Sequence, residues 1–91
     1  MDSYRPIDCH LHDYLEIACL YRYRLLLELV DGGRLEADAI STETRPSKEE
    51  FLLVASESGQ QALRLDLLLA ITPLTPGARF GRVLLGNRPK T

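Results

Sequence analysis

From about His10 to Tyr21 the apolar residues Leu11, Tyr14, Leu15, Ala18 and Cys19 recur at helical spacing, and beyond Tyr23 the apolar period drops to two. The first pattern predicts one short amphipathic helix over 10–21, after an extended segment from Pro6 to Asp8. Asp8 is placed to cap it through a side-chain oxygen, Asp13 sits in an early turn where the helix dipole favours an anion, and Arg22 and Arg24 suit the other end. In the second pattern Leu25, Leu27 and Leu29 alternate with Leu26 and Glu28, and Asp31-Gly32-Gly33 supplies a hairpin turn. On the return, Leu35, Ala37 and Ala39 face inward while Arg34, Glu36 and Asp38 face out. Strands are expected over 24–30 and 34–40.

Ser41 to Lys48 is polar and holds Pro46, which cannot donate to a sheet ladder, so it reads as an exposed loop. A third strand is expected over 50–55, followed by a turn through Ser56 to Gln60. A fourth is expected over 62–71, with Leu63, Leu65 and Leu67 inward and Arg64 and Asp66 paired across strands outside. Pro73, Pro76 and Gly77 break the chain before a fifth strand over 79–85 and a polar tail, 86–91. Five short strands leave two bare edges unless the sheet bends on itself. The expected architecture is therefore mainly β with one N-terminal α-helix: a small five-stranded antiparallel barrel occupying 1–91 as one domain. Repeats, low-complexity segments and heptads are lacking.

Composition narrows the function classes. The chain has 91 residues, 45% hydrophobic and 26% charged, which suits one folded domain. Its start, Met1-Asp2-Ser3-Tyr4-Arg5-Pro6, lacks the pattern of a secretory signal, and no apolar run exceeds five residues, so a cytoplasmic protein without a membrane span is expected. Cys9 and Cys19 are expected as reduced, buried thiols; ten residues of helix would separate them by about 15 Å, beyond disulfide reach. Cys9, His10, His12 and Cys19 include zinc-ligand atoms, but the second close pair of a structural site is missing. Cys9 and His10 are adjacent, so on a helix they diverge by about 100°, and no orienting group accompanies them. No enzyme activity, cofactor, metal or catalytic residue is expected.

Charge is uneven. Residues 1–60 carry twelve acidic and six basic side chains, whereas 61–91 carry one and five. A nucleic-acid binder more often shows a basic face, so the acidic portion suggests a basic partner. On the helix, Leu11, Tyr14, Leu15 and Ala18 share one face, and His12, Asp13, Glu16 and Leu20 lie opposite. Two carboxylates one turn apart could meet a basic partner, with Leu20 adding apolar contact; they could equally be the solvated side of an amphipathic helix. Arg45 and Lys48 have the same two readings, as binding contacts or as a solvated loop.

Three stretches stand out in the text of the sequence: Tyr4-Arg5-Pro6-Ile7-Asp8-Cys9, continuing through Asp13-Tyr14-Leu15-Glu16-Ile17-Ala18-Cys19; Leu27-Glu28-Leu29-Val30-Asp31-Gly32; and Glu50-Phe51-Leu52 with Leu63-Arg64-Leu65-Asp66. In order, they resemble the opening and helix, the strand and turn, and two later strands of the Rho-binding antiterminator family, Rof, which has an Sm-like barrel. Together they span most of residues 4–71; the 41–48 loop and the basic C-terminus depart from the pattern. The resemblance implies binding to the N-terminal RNA-loading domain of the termination factor Rho, so that RNA cannot engage its primary site. It points to His12, Asp13, Glu16 and the loop residues Arg45, Ser47 and Lys48, to which the helix geometry adds Leu20. The alternative is an Sm-like protein that binds RNA directly through Arg79, Arg82, Arg88 and Lys90, in which case removing 86–91 weakens RNA binding. Outward charges at Glu28, Arg34, Glu36 and Asp38 favour a free monomer.

Overall fold

Alternation of leucine with polar residues builds the central hairpin. The computed structural model describes residues 4–87. Strands β1 (Arg24–Leu29) and β2 (Arg34–Thr44) pair antiparallel, and Leu25 and Leu27 are wholly buried. The turn between them is held by Leu29 N–H donating to Gly33 O at 2.8 Å and by Gly33 N–H donating to the Asp31 side chain at 2.8 Å. Gly32 takes φ 93°, a left-handed conformation that a β-carbon would strain.

β2 does not stop near Ile40. The ladder with β3 (Glu50–Ser56) slips between Ala39 and Ser41, leaving Ile40 as an extra residue, and then runs on with Thr42 opposite Leu52 and Thr44 opposite Glu50. The expected loop over 41–48 shrinks to Pro46-Ser47-Lys48. Arg45 N–H donates to Glu49 O at 2.9 Å, Lys48 N–H donates to Arg45 O at 2.7 Å, and Lys48 itself takes φ 72°. This is a three-residue hairpin in which Pro46 sits in the turn, where its missing N–H breaks no ladder bond. The threonines, polar but β-branched, extend the strand instead of ending it.

The expected strand over 62–71 is two strands. β4 (Gly59–Arg64) pairs with β3, a 3₁₀ turn occupies Leu65–Leu67, and β5 (Leu68–Pro73) pairs with β1. Leu65 and Leu68 both enter the core, a spacing of three that a strand cannot give, while Leu67 is 37% exposed. The expected cross-strand pairing holds for Arg64, which reaches Glu49 beside β3 at 3.0 Å, but not for Asp66, whose carboxylate is gripped by the same guanidinium across the turn at 2.7 and 3.0 Å. The expected strand over 79–85 contracts to β6 (Val83–Leu84), since Arg79 N–H donates to the Tyr23 hydroxyl rather than to a ladder.

The sheet order is β4-β3-β2-β1-β5-β6, six strands where five were expected. From β4 to β5 is four interstrand steps, roughly 19 Å in a flat sheet. Only Leu65–Leu67 joins them, and four chain links span at most about 14 Å even when fully extended. The sheet must therefore curl until its ends approach, and the bulge at Ile40 supplies one bend. The core inside comprises Leu25, Leu27, Leu52, Val54, Leu65, Leu68, Ile71 and Leu85, closed by Leu15 and Ala18 from the helix.

Helix α1 (Cys9–Leu20) packs chiefly on β2. Asp8 is its N-cap, but its side chain makes no capping bond; its carbonyl oxygen accepts the N–H groups of Leu11 and His12 at 3.0 and 3.2 Å. Arg22 and Arg24 lie beyond the last turn, Arg24 starting β1 at 3.6 Å from Asp38. At the end, Arg22 N–H donates to Cys19 O and Tyr23 N–H to Ala18 O, with Arg22 at φ 53° in the place usually taken by glycine. Arg22→Gly should therefore stabilise the fold by about 1 kcal/mol, raising the melting temperature by roughly 4–8 °C in a calorimetric scan; a fall would show that Arg22 makes compensating contacts. Among the described residues no helix is long and apolar enough to cross a membrane.

Candidate functional site

One rotation of the helix sorts its residues as the sequence predicts. Leu15 and Ala18 are fully buried, while Asp13, Glu16 and Leu20 are exposed, Leu20 to 73%. These three and Ile17 line one shallow open depression along the outer face. Apolar and acidic groups thus alternate on a surface whose reverse side is anchored in the core.

His12 is the exception. Its side chain is 20% exposed, with Nε2 2.9 Å from Glu50 Oε1 and Nδ1 3.9 Å from Glu16 Oε2. Glu50 also accepts the Tyr4 hydroxyl at 2.9 Å. Burial and that bond push the Tyr4 phenol far above its usual range, keeping it a donor. His12 therefore ties the helix to the start of β3, two residues after Lys48, and so links the helix to the hairpin tip. Glu50, in the Glu50-Phe51-Leu52 strand, has a role that the sequence does not predict, since nothing in its spacing connects it to a histidine thirty-eight positions earlier.

At the tip, Arg45, Ser47 and Lys48 are all exposed. Arg45 is held by Glu43 at 2.8 Å and lies over the Phe51 ring, 3.8 Å from its centroid. The Ser47 hydroxyl donates to Glu49 at 3.0 Å, and no carboxylate among the described residues lies in ion-pair range of Lys48. Glu49 also accepts from Arg64 at 3.0 Å, and hydrogen bonds from Arg64 to Asp66 first, then Glu49, hold the guanidinium charged.

The thiols differ. Cys9, the first residue of the helix and half a rotation from the buried Ala18, is exposed, against expectation; Cys19 is half-buried. Burial pushes the Cys19 thiol up to about 11, with Glu16 adding to the rise and Arg22 opposing it. At pH 7.5 an aromatic disulfide reagent should titrate Cys9 rapidly and Cys19 only slowly, and Cys9→Ser should remove the fast phase. A fast phase surviving that change would show that the helix end opens readily. Among the described residues no group of three or more His, Cys, Asp or Glu is gathered as a metal site.

Of the basic residues put forward for RNA, Arg82 is engaged by Glu28 through two bonds of 2.7 and 3.0 Å, which hold the Glu28 carboxyl below its usual range. Arg79 stacks on Tyr21, and Arg88 and Lys90 lie outside the described residues.

The chain is 38% identical over 71 residues to protein rof of Escherichia coli (strain K12), a match covering 78% of this chain and 83% of that protein. Protein rof of Shigella flexneri matches to the same extent. A solved structure titled YaeO bound to magnesium, from Vibrio cholerae O395, superposes with a TM-score of 0.72 at 25% identity, covering 79% of this chain and 94% of that one. A family model described as modulator of Rho-dependent transcription termination (ROF) matches residues 6–85. Since that span runs from the segment before the helix through the last strand, this chain belongs to the ROF family of modulators of Rho-dependent transcription termination.

Proposed function

We propose that this chain binds the N-terminal RNA-loading domain of Rho and blocks RNA from its primary site, so that termination fails by occlusion and without catalysis. The observation that supports this most is the exposed stripe of Asp13 and Glu16, with Ile17 and Leu20 among them, on a helix whose other side is fixed in the core. A site that loads RNA is electropositive, and carboxylates presented on a rigid helix compete for the same arginine and lysine donors as phosphates do. The tight hairpin tip, with Arg45 braced on Phe51 and Lys48 without an ion-pair partner among the described residues, is the second contact. His12 serves as the brace that sets the helix against that tip. The free chain is monomeric in this reading.

Competition tests it. Labelled single-stranded RNA bound to Rho should be displaced as this protein is added, while the protein alone leaves the RNA's anisotropy unchanged. Direct binding of this protein to Rho, measured without RNA, should weaken as salt rises, because opposite charges are screened over about 10 Å at 0.1 M. RNA that stays on Rho, or that binds this protein directly, would replace occlusion by the RNA-binding reading.

A further inference from the structure

The C-terminal end of α1 carries a feature that the acidic stripe does not use. Tyr21 is 46% exposed and its ring stacks on that of Tyr23, 5.8 Å away at 20°. The Arg79 guanidinium lies over Tyr21, 4.8 Å from the ring centroid. Tyr23 is buried, and its hydroxyl accepts the Arg79 N–H at 3.0 Å. Phe80, the next residue, packs against Tyr23 at 5.9 Å and Tyr14 at 5.0 Å. Arg79 is thus fixed at its main chain by one tyrosine and at its head by another, and much of the entropy of ordering a long side chain is already lost before any partner arrives.

Its charge is uncommitted. Among the described residues carboxylates engage Arg24, Arg45, Arg64 and Arg82, and none engages Arg79. The edge of a guanidinium carries donors spaced to meet a carboxylate two at a time. Leu20, the most exposed large apolar residue among the described residues, precedes Tyr21 at the end of the helix that carries Asp13, Glu16 and Ile17, so this cation stands at the C-terminal end of the same helix.

We propose that Arg79, stacked on Tyr21, is a preformed contact that takes a carboxylate of the protein partner at the edge of the helix surface. The proposal rests on the Rho-binding reading and adds one basic contact to an acidic face, which fixes the direction in which the helix lies on its partner. Nucleic acid suits the place less well. The Tyr21 ring is already engaged by Tyr23 and Arg79, which leaves less of it for a base to stack on, and Glu16, five residues earlier on the same helix, adds negative charge that disfavours phosphate. Tyrosine and arginine beside an exposed leucine are the residue types that dominate binding energy at protein interfaces.

The test is the affinity of the full chain for intact Rho in four forms: unaltered, Arg79→Ala, Arg79→Lys, and the double change Asp13→Lys with Glu16→Lys. Arg79→Ala should weaken binding about tenfold with the melting temperature unchanged, because the main-chain bond to Tyr23 survives. Arg79→Lys should recover little, since an ammonium lacks the planar fork. Wild-type affinity in Arg79→Ala alongside loss in the double variant overturns this inference and leaves the helix reading intact. Wild-type affinity in the double variant overturns the helix reading instead, and Arg79→Ala then decides the arginine by itself. Direct binding of labelled single-stranded RNA that Arg79→Ala abolishes, with Rho affinity unaltered, assigns the cation to nucleic acid and overturns the proposal.

Discussion

Lysine at both Asp13 and Glu16 should reduce affinity for Rho by at least about a hundredfold while leaving the fold in place. Removing one partner of a desolvated charge pair costs about 2–5 kcal/mol, and about 1.4 kcal/mol is a factor of ten. Reversal goes further, because on the occlusion proposal it sets like charges against each other. The fold has little reason to respond. Both side chains are exposed, Glu16 to 66%, and among the described residues their only ion pair is the long one from Glu16 to His12 at 3.9 Å. Lysine matches glutamate in helix propensity and exceeds aspartate. Calorimetric titration onto Rho at fixed salt, paired with a thermal melt of each variant, separates the two effects. Undiminished affinity would move the interface off the helix, and a large fall in melting temperature would mean that the carboxylates support the fold.

Those two residues could be found from sequence because the evidence for them is local. A rotation of 100° per residue, applied to twelve positions, separates Leu15 and Ala18 from Asp13, Glu16 and Leu20, and the folded helix keeps that division. The first hairpin was legible for the same reason, its leucines alternating around Asp31-Gly32-Gly33. The failures share a cause of the opposite kind. Leu63 to Ile71 has apolar residues at spacings of two and of three, so the pattern cannot say where a strand gives way to a turn; that is decided by which leucines reach the core after the sheet has curled. Ser41 to Thr44 is polar on any scale and still pairs, because Leu52 and Phe51 on β3 supply the partners. His12 had been placed on the free face and is instead drawn to Glu50, and Arg79 to Tyr21, by contacts that exist only once distant segments meet. The exposed face of one element is visible in its own periodicity, and the contacts that brace it from distant elements are not.

The closing segment of the barrel offers the largest expected effect on stability. Besides the short ladder with β5, three side-chain devices among the described residues hold it: the Arg82–Glu28 ion pair at 2.7 Å, the Asn87 amide donating to Leu65 O and Leu68 O at 2.9 and 2.6 Å, and Leu85, which is 1% exposed within the core. Their chemistry ranks them. Truncating a fully buried leucine to alanine costs about 2–5 kcal/mol through lost transfer energy and the cavity left behind, a large share of the roughly 5–15 kcal/mol that holds a domain together. Leu85→Ala should therefore lower the melting temperature by at least about 10 °C. Asn87→Ala should cost less, about 1–3 kcal/mol, by removing an amide that two carbonyls at the ends of the 3₁₀ turn share. Arg82→Ala should cost least, since the arginine side chain is half exposed and water replaces much of what the pair supplies. Thermal unfolding of the three variants under one buffer gives the order directly. If Arg82→Ala equals or exceeds Leu85→Ala, the segment is held by charge at the barrel's rim, and burial of Leu85 is not what closes the core.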